Sequence, residues 1–319
     1  MNASPRRTRA QRKQLLSVHG SSSATAIDLT TVTETHIPTS STASPTLISL
    51  IPDPLPRSYT NIPRKDHTLL LQKQNLLRAS PSTASVSAGP SPSSAALVFA
   101  QPEAGTAVCI HPSGLLLTCS HCIAETPSEL DLDKTHYLLF ASGAVVAARC
   151  TAWDGKRDLA LLQITAAQAL PSNGSEGFRF PALQIAQEAP KVGTKLLCVG
   201  HPGSEDLECE EEGVATGYDV LHVSSGAFRG YAEGQDVQDN EEIGALMHDC
   251  WTYWGHSGAP LVDVKTGKLV GVHSSWDEES GMRRGVGVEA IREFVKGRGG
   301  CVTIKECDEE CLVGYPSAP

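Results

Sequence analysis

From residue 95 onward the chain is a succession of short apolar runs, four to eight residues long, separated by turn signals. AALVFA, TAVCI, LLLT, YLLFA, AVVAARC, LALLQI, KLLCVG, LVDV and KLVGVHSS each read as a β-strand, with almost no helical signal among them. HPSG (111–114), ASG (141–143) and KTG (265–267) supply turns between them. Many short strands at regular spacing predict an all-β barrel or sandwich. One helix is predicted, VEAIREFVKG at 288–297, apolar at Val288, Ile291 and Val295 and stopped by Gly297. A Pro/Gly/Ser-rich stretch at 170–181 divides the β region into two halves of comparable size.

Residues 1–93 have a different texture, rich in Ser, Thr and Pro and without lasting apolar periodicity. Such a segment buries too little surface to offset its ordering entropy, so it reads as a disordered tail. A short amphipathic piece at 69–77 is its one candidate for a transient helix. No strand is drawn from this tail, and its removal is expected to leave folding and activity intact. Charge separates the two parts as well. The tail carries ten Lys and Arg against four acids, a net of +6, whereas the whole chain stands at −10, so the remainder carries −16. The reading divides the chain into a tail (1–93), one domain (94–300, with halves at about 94–170 and 181–298) and a C-terminal tail (301–319). Two acidic runs, 205–212 and 236–242, read as solvated loops.

An apolar run of about 7–15 residues behind the first basic residues would mark a secretory leader, and none is present. Nor is there an apolar stretch of about 18 residues for a membrane span. The ten cysteines are therefore read as an intracellular, reduced set, several of them small hydrophobes inside apolar runs. The basic PRRTRAQRK cluster reads as a nuclear address or a weak nucleic-acid patch, with a mitochondrial transit peptide second. Cytoplasm or nucleus is expected, mitochondria the alternative, and neither membrane nor nucleic acid is expected as a partner.

Three local patterns occur in one order. LLLTCSHC (115–122) is a strand ending in a small-residue turn that presents His121. RDLALLQI (157–164) puts Asp158 immediately before a buried strand, and YWGHSGAPLVD (253–263) brackets Ser257 with glycines ahead of another strand. Separations of 37 and 99 residues suit one barrel followed by a second. A serine hydroxyl becomes a nucleophile when an imidazole takes its proton, and a buried carboxylate fixes that imidazole's tautomer.

In motif, order and spacing these segments resemble the chymotrypsin-like serine peptidases. The texture is nearest to their high-temperature-requirement branch and to glutamyl endopeptidases. The resemblance covers roughly residues 95–298 and extends to KLVGVHSS and the closing GVGVEAIREFV. It implies two six-stranded antiparallel β-barrels with a C-terminal helix. It implies a His121–Asp158–Ser257 triad, an oxyanion hole from the N–H groups of Gly255 and Ser257, a peptide or protein substrate and no cofactor. The alternative keeps the fold without the chemistry, as a catalytically silent peptide-binding module.

Two departures stand out. His256 occupies the place of the aspartate that pairs with a freed N-terminus in digestive members, so activation by that ion pair is not expected. Ala259 replaces a second glycine. Thr252 and His273 stand where glutamyl endopeptidases and picornaviral proteases line the pocket for Glu or Gln, which implies the same preference here. With an ordinary pKa near 6.5, His273 would switch its charge in the working range. Cys119, His121, Cys122 and the His248/Cys250 pair form too irregular a set for zinc, and no metal is expected.

Overall fold

The computed structural model describes residues 48–79, 91–100, 105–169, 179–206, 209, 211 and 214–296. Strand β1 (Ser49–Leu50) comes first, then helix α1 (Arg64–Ala79) and a single helical turn, α2 (Pro92–Ala95). Six strands follow: β2 (Ala96–Phe99), β3 (Thr106–His111), β4 (Leu115–Thr118), β5 (Thr135–Phe140), β6 (Val145–Asp154) and β7 (Leu159–Ala167). They pair in the order β7-β4-β3-β2-β5-β6, and β6 pairs with β7 to close the first barrel. The second barrel uses β8 (Lys195–Gly200), β9 (His222–Tyr231), β10 (Leu246–His248), β11 (Pro260–Asp263), β12 (Leu269–Trp276) and β13 (Arg283–Gly287), closed in the order β10-β13-β12-β11-β8-β9. Helix α3 (Val288–Lys296) ends the described chain. The fold is therefore two closed six-stranded antiparallel barrels with a C-terminal helix.

Alternation along each strand explains how the barrels pack. In β7, Leu162 and Ile164 point into the first barrel, while Leu159 and Leu161 point outward to Val262, Leu269 and Val272 of the second. Phe294 and Ile291 of α3 close that seam. In β2 and β5, Leu97, Phe99, Leu138 and Phe140 fill the barrel, while Val98, Tyr137 and Leu139 face out. Those outward faces are buried as well, and what buries them lies in the supposed tail.

Disorder throughout residues 1–93 is thus corrected for residues 48–79. Ile51, Leu55, Ile62, Leu70 and Leu77 are buried against the outer face of β2, β5 and β6. Strand β1 adds in parallel to β7, Ser49 opposite Ala166. Gln74 donates to Gly143 O (2.7 Å) and to Gln168 Oε1 (2.8 Å), Gln168 donates to Pro52 O (3.0 Å), and Arg78 pairs with Asp53 (2.7 Å). Lys73 is buried with its Nζ 3.0 Å from Phe99 O, and burial pushes its ammonium down to about 7. The apolar positions of this segment are too sparse for a local period, because each finds its partner on the barrel. The basic cluster at 5–13, Gly297 and the C-terminal tail lie outside the described residues. Among those described, no helix is long and apolar enough to cross a membrane.

Candidate active site

Strand β4 is paired on both edges, to β3 and β7, and delivers the chain into a 3-10 turn, Ser120–Cys122, that carries His121. Asp158 ends the β6–β7 turn, where its N–H donates to Gly155 O (3.2 Å) and its φ is +53°, a left-handed conformation that Asp tolerates. That twist sets a fully buried carboxylate under the imidazole: His121 Nδ1 is 2.8 Å from Asp158 Oδ1 and 3.1 Å from Oδ2. Ser120 Oγ donates to Oδ1 (2.9 Å), the His121 backbone N–H does so at 3.3 Å, and Ser274 Oγ donates to Oδ2 (2.6 Å). Ser120 and Ser274 were missed in the sequence. Each lies beside a residue that was singled out, but nothing local says that its hydroxyl turns inward.

Ser257 sits in a turn built for close approach. His256 N–H donates to Tyr253 O (3.0 Å), and Gly255 at the third position has φ +97°. Gly258, φ +82°, leaves no room for a side chain, since a Cβ there would stand 2.0 Å from Thr106 O. The Ser257 hydroxyl donates to Ser274 O (3.1 Å). Thr106, fully buried, holds both carbonyls that flank this turn: its N–H donates to Ser257 O (2.7 Å) and its Oγ1 to Gly255 O (3.0 Å). Oγ1 in turn accepts from His201 N–H (2.9 Å).

The two departures have structural explanations. His256 is buried, its Nδ1 3.1 Å from both N and O of Tyr253, so it braces the turn from inside. Burial pulls its pKa down to about 3, and the brace is neutral. Ala259 lies in the second barrel's core, with Gly200 making the space for both residues.

His273 and Thr252 are both buried. His273 Nδ1 lies 3.1 Å from Nε2 of buried His248. The other ring nitrogen of His248 has no hydrogen-bond partner among the described residues. One of these two nitrogens carries the shared proton; with it on His248, His273 carries its own on Nε2. Burial first, then neighbouring His248, His256 and Arg283, hold the His273 pKa well below 6.5. The expectation that His273 switches its charge near pH 6.5 is corrected: burial disfavours its charged form there.

Cys119, His121 and Asp158 could each bring a ligand atom within 4.8 Å of the others. His121 Nδ1 is engaged with Asp158, and Cys119 Sγ donates to His273 O (3.3 Å). His248 and Cys250 do not join this group. Burial pushes the Cys250 thiol up to about 12, so it stays protonated.

No curated protein matches the sequence. Among solved structures, Rv3671c from M. tuberculosis H37Rv, a serine-to-alanine mutant in its inactive form, is similar at a TM-score of 0.45 and 17% identity. The likeness covers 66% of this chain and 90% of that one. A family model, the trypsin-like peptidase domain, matches residues 105–272, just over half of the chain, spanning His121, Asp158 and Ser257. A domain of this kind supports serine peptidase activity on peptide or protein substrates. The chain belongs to the family of the trypsin-like peptidase domain.

Proposed function

We propose that the chain is a serine endopeptidase in which His121, Asp158 and Ser257 act as one unit. The observation that carries this reading is the buried Asp158 carboxylate, hydrogen-bonded at once to His121, Ser120 and Ser274. In the reacting complex the Ser257 hydroxyl exchanges Ser274 O for His121 Nε2, a contact that often forms or tightens only with substrate bound. The Oγ then attacks the scissile carbonyl carbon while its proton passes to Nε2. Asp158 stabilises the resulting imidazolium, and the oxyanion is received by the N–H groups of Gly255 and Ser257. Each such donor contributes about 2.7–4 kcal/mol in comparable sites. Collapse breaks the C–N bond, the proton on Nε2 leaves with the amine, and water repeats the sequence to release the acyl group.

The same reading gives Thr252 and His273 the side chain that precedes the scissile bond. A neutral Nε2–H can donate to the side-chain oxygen of Gln or Glu alike, which supports a preference for these two over Lys, Leu or Phe. The hydrogen bond from Ser257 to Ser274 O would also suit a silent peptide-binding module. Hydrolysis separates the two. Ser257→Ala and His121→Ala are each expected to lower turnover on the order of 10⁴–10⁶-fold, and the double variant to add little. A Ser257→Ala protein with more than about a tenth of the activity would refute the triad.

A further inference from the structure

Cys119 and Cys122 bracket His121, and both are thiols. The Cys122 N–H donates to Cys119 O (3.2 Å), the bond that closes a four-residue turn and holds the two Cα atoms within about 7 Å. A disulfide spans Cα separations of about 4.4–6.8 Å, so the turn brings the pair to that range. The side chains converge as well. Cys122 Sγ donates to Ser257 O (3.6 Å), in room that Gly105 leaves, since a Cβ there would stand 2.7 Å from that sulfur. Cys119 Sγ donates to His273 O (3.3 Å), which also accepts from Gly258 N–H (2.7 Å). Ser257 O and Gly258 N belong to one peptide unit, so the two thiols stand at its opposite edges.

Their exposures differ. Cys119 is fully buried, while Cys122 is half-buried and follows the imidazole of His121 in the chain. A thiol open to solvent, beside an imidazole and with a second thiol to resolve it, is the arrangement that peroxide oxidises. The thiols of Cys109, Cys198 and Cys250 lie in the barrel cores and are kept protonated by burial.

Resting on the reading of His121 as the base for Ser257, we propose that Cys119 and Cys122 are a redox switch: hydrogen peroxide joins them in a disulfide that disables the site, and a dithiol reverses it. The Cys122 thiolate attacks one peroxide oxygen, the O–O bond breaks, and the hydroxide released takes up the thiol's proton as water. The sulfur is left as a sulfenic acid. Cys119 sulfur then attacks it, the S–S bond forms, the S–O bond breaks, and hydroxide leaves with the Cys119 proton as a second water. Two thiols are oxidised and one peroxide is reduced. The new bond withdraws both S–H donors from Ser257 O and His273 O. It also closes a ring around Ser120 and His121, both of which donate to Asp158 Oδ1.

The experiment treats the full chain with hydrogen peroxide, maps its cysteines by mass spectrometry and follows fluorophosphonate labelling of Ser257. The peptide holding Cys119 and Cys122 is expected to lose two hydrogens, and labelling to fall about tenfold or more, as small displacements of catalytic groups do. Dithiothreitol should restore both. In Cys119→Ser this disulfide cannot form, and dimedone should tag Cys122 as its sulfenic acid. Thiols at both positions that survive while exposed Cys209 is oxidised would overturn the proposal. So would a Cys119–Cys122 disulfide that leaves labelling unchanged, or a Cys119→Ser chain whose Cys122 dimedone never tags. A reduced chain that never labels refutes the triad, and the mapping then still decides the disulfide.

Discussion

Thr106 Oγ1 lies 3.0 Å from the carbonyl oxygen of Gly255, across 149 residues of sequence and from one barrel to the other. With the Thr106 N–H on Ser257 O, this pins the peptide group that follows each proposed oxyanion donor. Thr106→Val keeps the shape but leaves Gly255 O and His201 N–H without the hydroxyl, a cost of about 1–3 kcal/mol. Turnover is expected to fall roughly ten- to a hundredfold with KM little changed, since such donors act chiefly in the transition state. Thr106→Ser, which restores the hydroxyl, should recover most of the loss. A rise in KM at constant turnover, or a serine variant no better than valine, would contradict a positioning role.

Residues 48–79 are built into the fold, so a chain lacking residues 1–93 should lose stability and not merely an address. Each of Ile51, Leu55, Ile62, Leu70 and Leu77 buries a side chain that contributes about 1.5–3 kcal/mol. Leu70→Ala alone should cost about 2–5 kcal/mol in urea unfolding. A truncated protein as soluble and as stable as the full chain would show that this layer is dispensable.

Acid should unfold the protein early. His136 is held down at about 4 and His248 and His256 at about 3, each chiefly by burial, and His201 and His273 lie well below 6.5. Unfolded imidazoles titrate near 6.5, so below that pH the unfolded chain binds more protons than the folded one. The stability associated with neutral burial is complete above pH 6.5. It is lost as pH falls toward the folded values, with a slope of up to about 1.4 kcal/mol per unit for each imidazole. Urea midpoints at about pH 7.5 and about pH 5.5 check the sign: the lower pH must give the lower midpoint, and an equal or higher one would contradict the burial of these rings as neutral bases.

Much of this was legible in the sequence because the signals were local. Nine apolar runs became nine strands, and GHSGAP, TCSHC and RDLALL marked their residues by turn chemistry beside a strand. Strands β1, β9 and β10 escaped, and β13 was marked only by the resemblance at GVGVEAIREFV: Ser49–Leu50 is two residues long, HVSSGAFRGY alternates weakly, LMH is three residues long, and RRGVG holds two arginines and two glycines. Their pairing is dictated by neighbours already in the barrel. The covering layer had left a trace nevertheless. AALVFA and YLLFA are apolar on both faces, which an antiparallel strand needs only when its outer face is covered too. The hydroxyls of Ser120, Ser274 and Thr106, and the link from His248 to His273, join residues 25 to 149 apart and carry no local signature.

The central claim is that Ser257 is an activated nucleophile, and a fluorophosphonate probe reads that state without knowledge of the substrate. Mass spectrometry of the labelled full-length protein should find one phosphonyl group, on Ser257. Labelling should vanish in Ser257→Ala and slow on the order of 10⁴-fold or more in His121→Ala. An unlabelled wild-type chain, or label that persists in Ser257→Ala, would contradict the account.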